Sequence, residues 1–154
     1  MGHTCNSIVI NATYDLVFDI SNEIPRWTEL FGTEYKKAEV VKKEGNKITF
    51  RLTDDEDKSW QSWRLLFKEK YFTYSEREEP KFPFKYMKII WLYTPKPEGM
   101  ALAKGGQTTS FCPVALAIAS PTAGWPVEMT WIQHFAMDDK AKFNDEQVEG
   151  FINK

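Results

Sequence analysis

From Tyr35 onward the spacing of apolar side chains changes from three and four residues to two, and the period of two persists through most of the chain. That pattern restricts the fold to one dominated by strands with one buried face. Ala38 and Val40 lead into Glu44-Gly45-Asn46, a turn, and Ile48, Phe50 and Leu52 alternate beyond it, which predicts a β-hairpin. Aromatic and β-branched content predicts further strands over 59–67, 71–78, 84–93 and 128–137, and a short one over 6–11. Between the first strand and the hairpin the spacing is helical. Thr13 is placed to cap a helix carrying Leu16, Val17 and Ile20, and Asn22 to cap a second carrying Ile24, Trp27, Leu30 and Phe31, with Pro25 in its first turn. At the C-terminal end Asn144 can cap a helix, Gln147 can answer it and Phe143 can staple onto Val148, leaving Val148, Phe151 and Ile152 on one apolar face. One strand, two short helices, a run of antiparallel strands and a last helix make an α+β architecture with its helices on one side of a sheet.

One region breaks the pattern. Residues 94–127 follow no single period, and 105–127 carry no charge in a chain that is 27% charged. Joining Pro97-Glu98-Gly99 directly to Glu128-Met129 would give an ordinary tight hairpin, so 99–127 reads as an insertion within a single domain spanning 1–154. It is expected to be a lid, an extra hairpin over 114–118, or an excursion without structure.

Charge and motifs exclude several function classes. Twenty basic and 22 acidic side chains are interspersed, for a net charge of -2, so no one-sign field favours nucleic acid. Glycines, prolines and hydroxyls interrupt 105–127, the longest uncharged stretch, so no membrane span is expected. Cys5 and Cys112 lie far apart without CxxC spacing, and no leader opens the chain; both features predict a reduced, cytoplasmic protein. His3, Cys5 and His134 lack metal-ligand spacing, and no nucleophile-elbow, phosphate-loop or dinucleotide motif occurs, so no metal site is predicted.

Seven motifs in register carry a family resemblance. Residues 6–12, Asp15-Leu16-Val17, Trp27-Thr28-Glu29-Leu30-Phe31 and Glu34-Tyr35 resemble the opening of the aromatase/cyclases of bacterial type II polyketide synthases. Ala38-Glu39-Val40, Phe50-Arg51-Leu52, Trp60-Gln61-Ser62-Trp63-Arg64, Pro83-Phe84-Lys85-Tyr86-Met87, Trp91-Leu92-Tyr93 and 129–137 are similar to the same family in the same order. The resemblance covers 6–97 and 128–153. It implies a START-related helix-grip fold, with a seven-stranded curved sheet around a C-terminal helix. It also implies a pocket that folds a poly-β-ketone for aldol cyclisation and dehydration without metal or cofactor. The implied partners are a small hydrophobic or polyketide ligand and an acyl carrier protein. Two departures stand out: the insertion has no counterpart in the family pattern, and the last helix, about 15 Å long at the usual rise, is shorter than the family's. A grip helix of that length is expected to leave the pocket open or part of the sheet uncovered.

The same resemblance assigns Arg64 and Tyr35 as catalytic residues and Arg77 as a second pocket arginine. A guanidinium in an apolar cavity suits an aldol step, because low dielectric strengthens its bonds to a developing oxyanion, and a tyrosine can donate or relay a proton. Alternation gives a competing reading. Trp60, Ser62, Arg64 and Leu66 share one face of their strand, whereas Gln61, Trp63, Leu65 and Phe67 share the more apolar one, so hydrophobicity alone turns Arg64 toward solvent. For the pocket wall we expect Trp27, Phe31, Trp60, Phe84, Met87 and Trp91, joined by Trp131 and Gln133. The competing reading is that most of these rings fill an ordinary core. Gln133 is the sharper expectation, since a polar residue on an apolar face needs a hydrogen-bond partner. The alternative function is carriage of a lipid or quinone in the same pocket without chemistry.

Overall fold

The computed structural model describes residues 1–32, 34–96 and 125–152. Seven strands form one antiparallel sheet: β1 (Gly2–Ile10), β2 (Lys37–Glu44), β3 (Lys47–Thr53), β4 (Ser59–Phe67), β5 (Phe72–Arg77), β6 (Phe84–Pro95) and β7 (Val127–Met137). Their order is β1-β7-β6-β5-β4-β3-β2, so every neighbouring pair except β1–β7 is consecutive in sequence. The helices are α1 (Tyr14–Ser21), a 3-10 turn (Ile24–Arg26) running into α2 (Trp27–Leu30), and α3 (Asp145–Ile152). This is the expected α+β arrangement. β6 and β7 pair to their ends, Tyr93 with Met129, Thr94 with Glu128 and Pro95 with Val127, so Val127 belongs to β7, while 97–124 of the chain, including the candidate hairpin at 114–118, lie outside the described residues.

Local chemistry explains the turns. Gly45 takes a φ of +58° at the first position of the two-residue β2–β3 turn, with open space where a Cβ would stand. A positive φ there matches the twist of the flanking strands, and glycine adopts it without steric cost. At α3 the Asn144 Oδ1 accepts from the Gln147 amide at 2.9 Å and the Gln147 Oε1 accepts from the Asn144 amide at 3.0 Å, the reciprocal cap expected from the sequence. Phe143 also meets Phe151 of the same helix edge-on at 5.4 Å.

Two other expectations about helix ends are corrected. Thr13 occupies the cap position of α1, yet its hydroxyl makes no capping bond. Asn22 ends α1 instead of starting the next helix; Glu23 precedes the 3-10 turn, and the Asn22 side chain turns inward. Leu16 and Leu30, expected on the apolar faces, are exposed, while Val17, Phe18, Ile24 and Trp27 are buried. The reason is geometric, since a pair of short helices laid on a concave sheet can bury only the narrow stripe that faces it.

The core fills one end of the concavity. Val17, Phe18, Ile24 and Trp27 pack against Phe50, Leu52, Trp91, Tyr93 and Met129 on the inner face of the sheet. The edge strand β2 is blunted by exposed Lys37, Glu39, Lys42 and Glu44, which pair along the strand at 2.7–2.8 Å and mask its unpaired backbone groups. Gly45→Ala should lower unfolding free energy by about 1 kcal/mol through backbone strain alone. Urea unfolding checks this; an unchanged midpoint would show that the turn tolerates a side chain.

Candidate active site

Beyond the core the concavity is hollow, with a cavity of about 780 Å³. Its wall includes all eleven residues singled out from the sequence. Arg64, Tyr35, Trp27, Phe31, Trp60 and Arg77 line the side formed by the short helices, their following loop, β4 and β5, while Phe84, Met87, Trp91, Trp131 and Gln133 line the side formed by β6 and β7. Alternation accounts for Met87 and Trp91 on β6 and for Trp131 and Gln133 on β7, because residues two apart on a strand project from the same face, while Phe84, of the other parity, joins them across a register shift between Phe84 and Tyr86. Phe151 and Ile152 of the short α3 contribute to the wall from the opposite direction.

Arg64 is the dominant feature. It is only 1% exposed, so the outward orientation suggested by hydrophobicity is wrong. The more apolar face of β4 is the outer one: Trp63 packs on Tyr74 at 5.6 Å and carries Lys47 over its ring, and Phe67 stacks on Phe72 at 4.6 Å. Those rings are half-buried by cross-strand contact and long side chains, without a second layer. Inside, the Arg64 Nε donates to Ser75 Oγ at 3.0 Å and Nη1 donates to Asn22 Oδ1 at 2.7 Å. The guanidinium carbon lies 3.7 Å from the Trp91 ring centre and 4.8 Å from that of Trp27, a cation–π arrangement in a desolvated site. Burial pushes the Arg64 pKa down to about 10, which still leaves it charged at neutral pH. Among the described residues no carboxylate pairs with it.

Arg77 is a second cation on the wall. Its Nε and Nη2 donate to the carbonyls of Pro80 and Phe82 at 2.9 and 3.0 Å, and its guanidinium lies over Trp60 at 4.5 Å and Phe84 at 5.4 Å. Tyr35 stacks on Trp27 at 6.1 Å and meets Phe31 and Trp60 edge-on. Burial pushes its phenol up to about 12, with the Glu34 carboxylate adding to the shift. Gln133 accepts from the Thr4 hydroxyl at 3.4 Å, so part of its hydrogen-bonding capacity is met from β1.

Sequence reasoning missed the groups that hold Arg64. Ser62 and Ser75 are buried polar residues on the wall; Ser62 shares the Arg64 face of β4, and Ser75 pairs with Arg64 across β4–β5. Alternation could have found both. Asn22 and Ser21 gave no such signal, because Asn22 has the profile of a helix cap. His134 follows Gln133 on β7 and so takes the other face, where its Nε2 lies 3.2 Å from Nδ1 of His3 across β1–β7.

Comparison with known proteins follows the geometry. No protein-family model matches the chain. A Streptomyces cyaneus protein that carries the name polyketide cyclase is 35% identical over 158 aligned residues, covering 99% of this chain and 85% of that protein. One from Streptomyces halstedii with the same name is 42% identical over 106 residues, covering 66% of this chain and 95% of that one. Among solved structures, the Zhui aromatase/cyclase from Streptomyces sp. R1128 aligns at a TM-score of 0.68 and 14% identity, over 97% of this chain and 81% of that one. The di-domain aromatase/cyclase BexL aligns at 0.68 and 14% identity over 99% of this chain but only 41% of its own length, so this chain spans less than half of it. A START superfamily protein from Mycobacterium smegmatis aligns at 0.62 and 7% identity over 99% of this chain and 87% of that one. The structural likenesses establish the START-like helix-grip fold, and the sequence relatives establish the family: the chain belongs to the polyketide cyclase family.

Proposed function

We propose that this chain is a cofactor-independent cyclase that folds a poly-β-ketone in its aromatic cavity and guides an aldol closure followed by loss of water. The observation that carries the reading is a buried arginine that has no carboxylate partner among the described residues and stands on the wall of a hollow lined by tryptophan. An aldol step creates an enolate and then an alkoxide, both more negative at oxygen than the ketone they come from. A desolvated guanidinium binds those oxygens more tightly than it binds the ketone, and this difference is what lowers a barrier. Flat aromatic walls complement a planar, partly conjugated chain and exclude water from it. In this reading Arg64 holds the carbonyl that becomes negative, Arg77 anchors a second carbonyl nearer the entrance, and Gln133 orients a third.

Tyr35 keeps its proton because burial disfavours the phenolate. It is therefore a hydrogen-bond donor at neutral pH rather than a base, and serves the carbonyl that accepts the attack or the hydroxyl that leaves. The methylene protons between two ketones are acidic enough once their enolate is stabilised, and they pass to solvent. Delivery of the chain by an acyl carrier protein belongs to the same proposal. No helix among the described residues is long and apolar enough to cross a membrane.

Arg64→Gln keeps a neutral donor but removes the charge. With a synthetic poly-β-ketone thioester as substrate, the rate of regiospecific cyclisation should fall by about 100-fold, the scale of losing one oxyanion donor. Stability should change by no more than about 1 kcal/mol, since relief of a buried charge offsets the lost hydrogen bonds. Equal product patterns from the variant and the native chain would end the catalytic role, and a co-purifying apolar molecule in native mass spectra would then favour carriage.

The Tyr35 shift has a definite sign. An unfolded tyrosine ionises near 10, whereas the folded one does so near 12. Between these values the unfolded chain has released a proton that the folded chain retains, so Tyr35 lowers stability as pH rises through that window. Tyr35→Phe should flatten the alkaline fall above pH 10 in urea-unfolding series run at stepped pH; parallel curves for the two chains would refute the buried phenol.

A further inference from the structure

The Arg64 guanidinium rests on a neutral cluster at the end of α1. Asn22 is 7% exposed; its Nδ2 donates to the Phe18 carbonyl at 2.8 Å and to the Tyr93 hydroxyl at 3.1 Å, and its Oδ1 accepts from Arg64 Nη1 at 2.7 Å. Ser21 Oγ donates to the Phe18 carbonyl at 3.1 Å and lies 2.7 Å from the Tyr93 hydroxyl, and Trp27 Nε1 donates to the Ser21 carbonyl at 2.9 Å. Turned over, the Asn22 amide would set its NH2 against the guanidinium and its oxygen against a carbonyl. The neighbours therefore fix its orientation, with the oxygen toward Arg64.

An aspartate would fill the same space and give the charge-assisted pair that buried guanidinium groups commonly form. In its place the polar partners of Arg64 among the described residues, Asn22 and Ser75, are both neutral. The ionisable groups nearest it stay neutral as well, because burial raises the pKa of both Tyr93 and Tyr35. Two carboxylate residues belong to the cavity wall. Glu34 is exposed, and Glu76 accepts from the Tyr74 hydroxyl and lies 3.7 Å from Lys88 Nζ. Neither pairs with Arg64 or Arg77 among the described residues. The interior of the cavity thus carries positive charge with no counter-ion among the described residues, and in a low dielectric such charge favours any guest that can shed a proton.

We propose that Asn22 is a positioning residue that holds Arg64 as an uncompensated cation against the cavity, so that the cavity takes an acidic enol or phenol as its anion. The ligand O–H bond breaks, its proton leaves to bulk water, and the oxygen keeps the electron pair and takes the N–H groups of Arg64. This rests on the reading of the cavity as a guest site and adds the charge state of the guest and the residue that sets it. The amide in place of a carboxylate is the specificity device: it supplies an acceptor that orients the guanidinium without cancelling it.

The test uses the whole chain with two probes, 2-naphthol, which ionises, and naphthalene, which does not. Titrated by absorbance while bound, 2-naphthol should ionise at a pH at least about one unit below that of the free compound, a tenfold preference for the anion. Asn22→Asp should abolish that preference while changing naphthalene affinity by no more than about twofold, because only the charge balance is altered. Ser75→Asp brings the same negative charge from the other partner of Arg64 and should act alike, which keeps the test decisive if Asn22→Asp melts early. Binding of both probes with no change in naphthol acidity overturns the inference and leaves the cavity reading standing, as does a preference that survives the added carboxylate. Failure of both probes to bind overturns the cavity reading and the inference with it.

Discussion

A guanidinium taken out of water, with no counter-ion among the described residues, is the constraint around which this structure is arranged. Removing such a group from solvent costs several kcal/mol, and ordinary folding gives no return for it. The chain offsets part of that cost with two tryptophan faces, an amide oxygen and a serine hydroxyl, all neutral. The short helices after β1 hold two of these, since α1 ends at the amide and the 3-10 turn and α2 bring Trp27 beside it, while Ser75 and Trp91 are held by β5 and β6. The core of Phe18, Ile24, Phe50 and Tyr93 is the rigid floor that prevents the cluster from relaxing toward water.

The division of the concavity into a filled end and a hollow end follows from the side chains each strand supplies. On β6 the inner face runs from Tyr93 and Trp91 in the core to Ile89 and Met87 on the cavity wall. Trp91 serves both ends, stacking on Trp27 at 5.5 Å and meeting Trp131 edge-on at 6.0 Å. Large rings that contact one another at their edges brace a hollow without filling it, since planar groups cannot close-pack around a curved surface without smaller side chains between them.

Much of this was legible in the sequence, and the failures are instructive. The hairpins, the order of elements and the reciprocal Asn144–Gln147 cap follow from period and local chemistry, which are nearest-neighbour properties. The faces of β6 and β7 were legible for the same reason. Arg64 was not legible from hydrophobicity, because Trp63, Leu65 and Phe67 make the outer face of β4 look like the inner one; only the motif around it pointed inward. Asn22 was illegible for a different reason. A polar residue between two helical patterns reads as a cap, and its actual partners, Arg64 and Tyr93, lie 42 and 71 residues away. Long-range polar networks leave no periodic trace.

The claim at the centre of this account is that a guest reaches Arg64, and the side-chain N–H resonance of that residue reports it directly. In the free protein the Arg64 Nε–Hε signal should be protected from exchange and shifted by the ring current of Trp91. Addition of a hydroxylated naphthalene should move that signal while leaving the exposed Arg51 signal in place. An Arg64 signal that exchanges freely with water, or one that stays fixed at saturating ligand, would contradict the account.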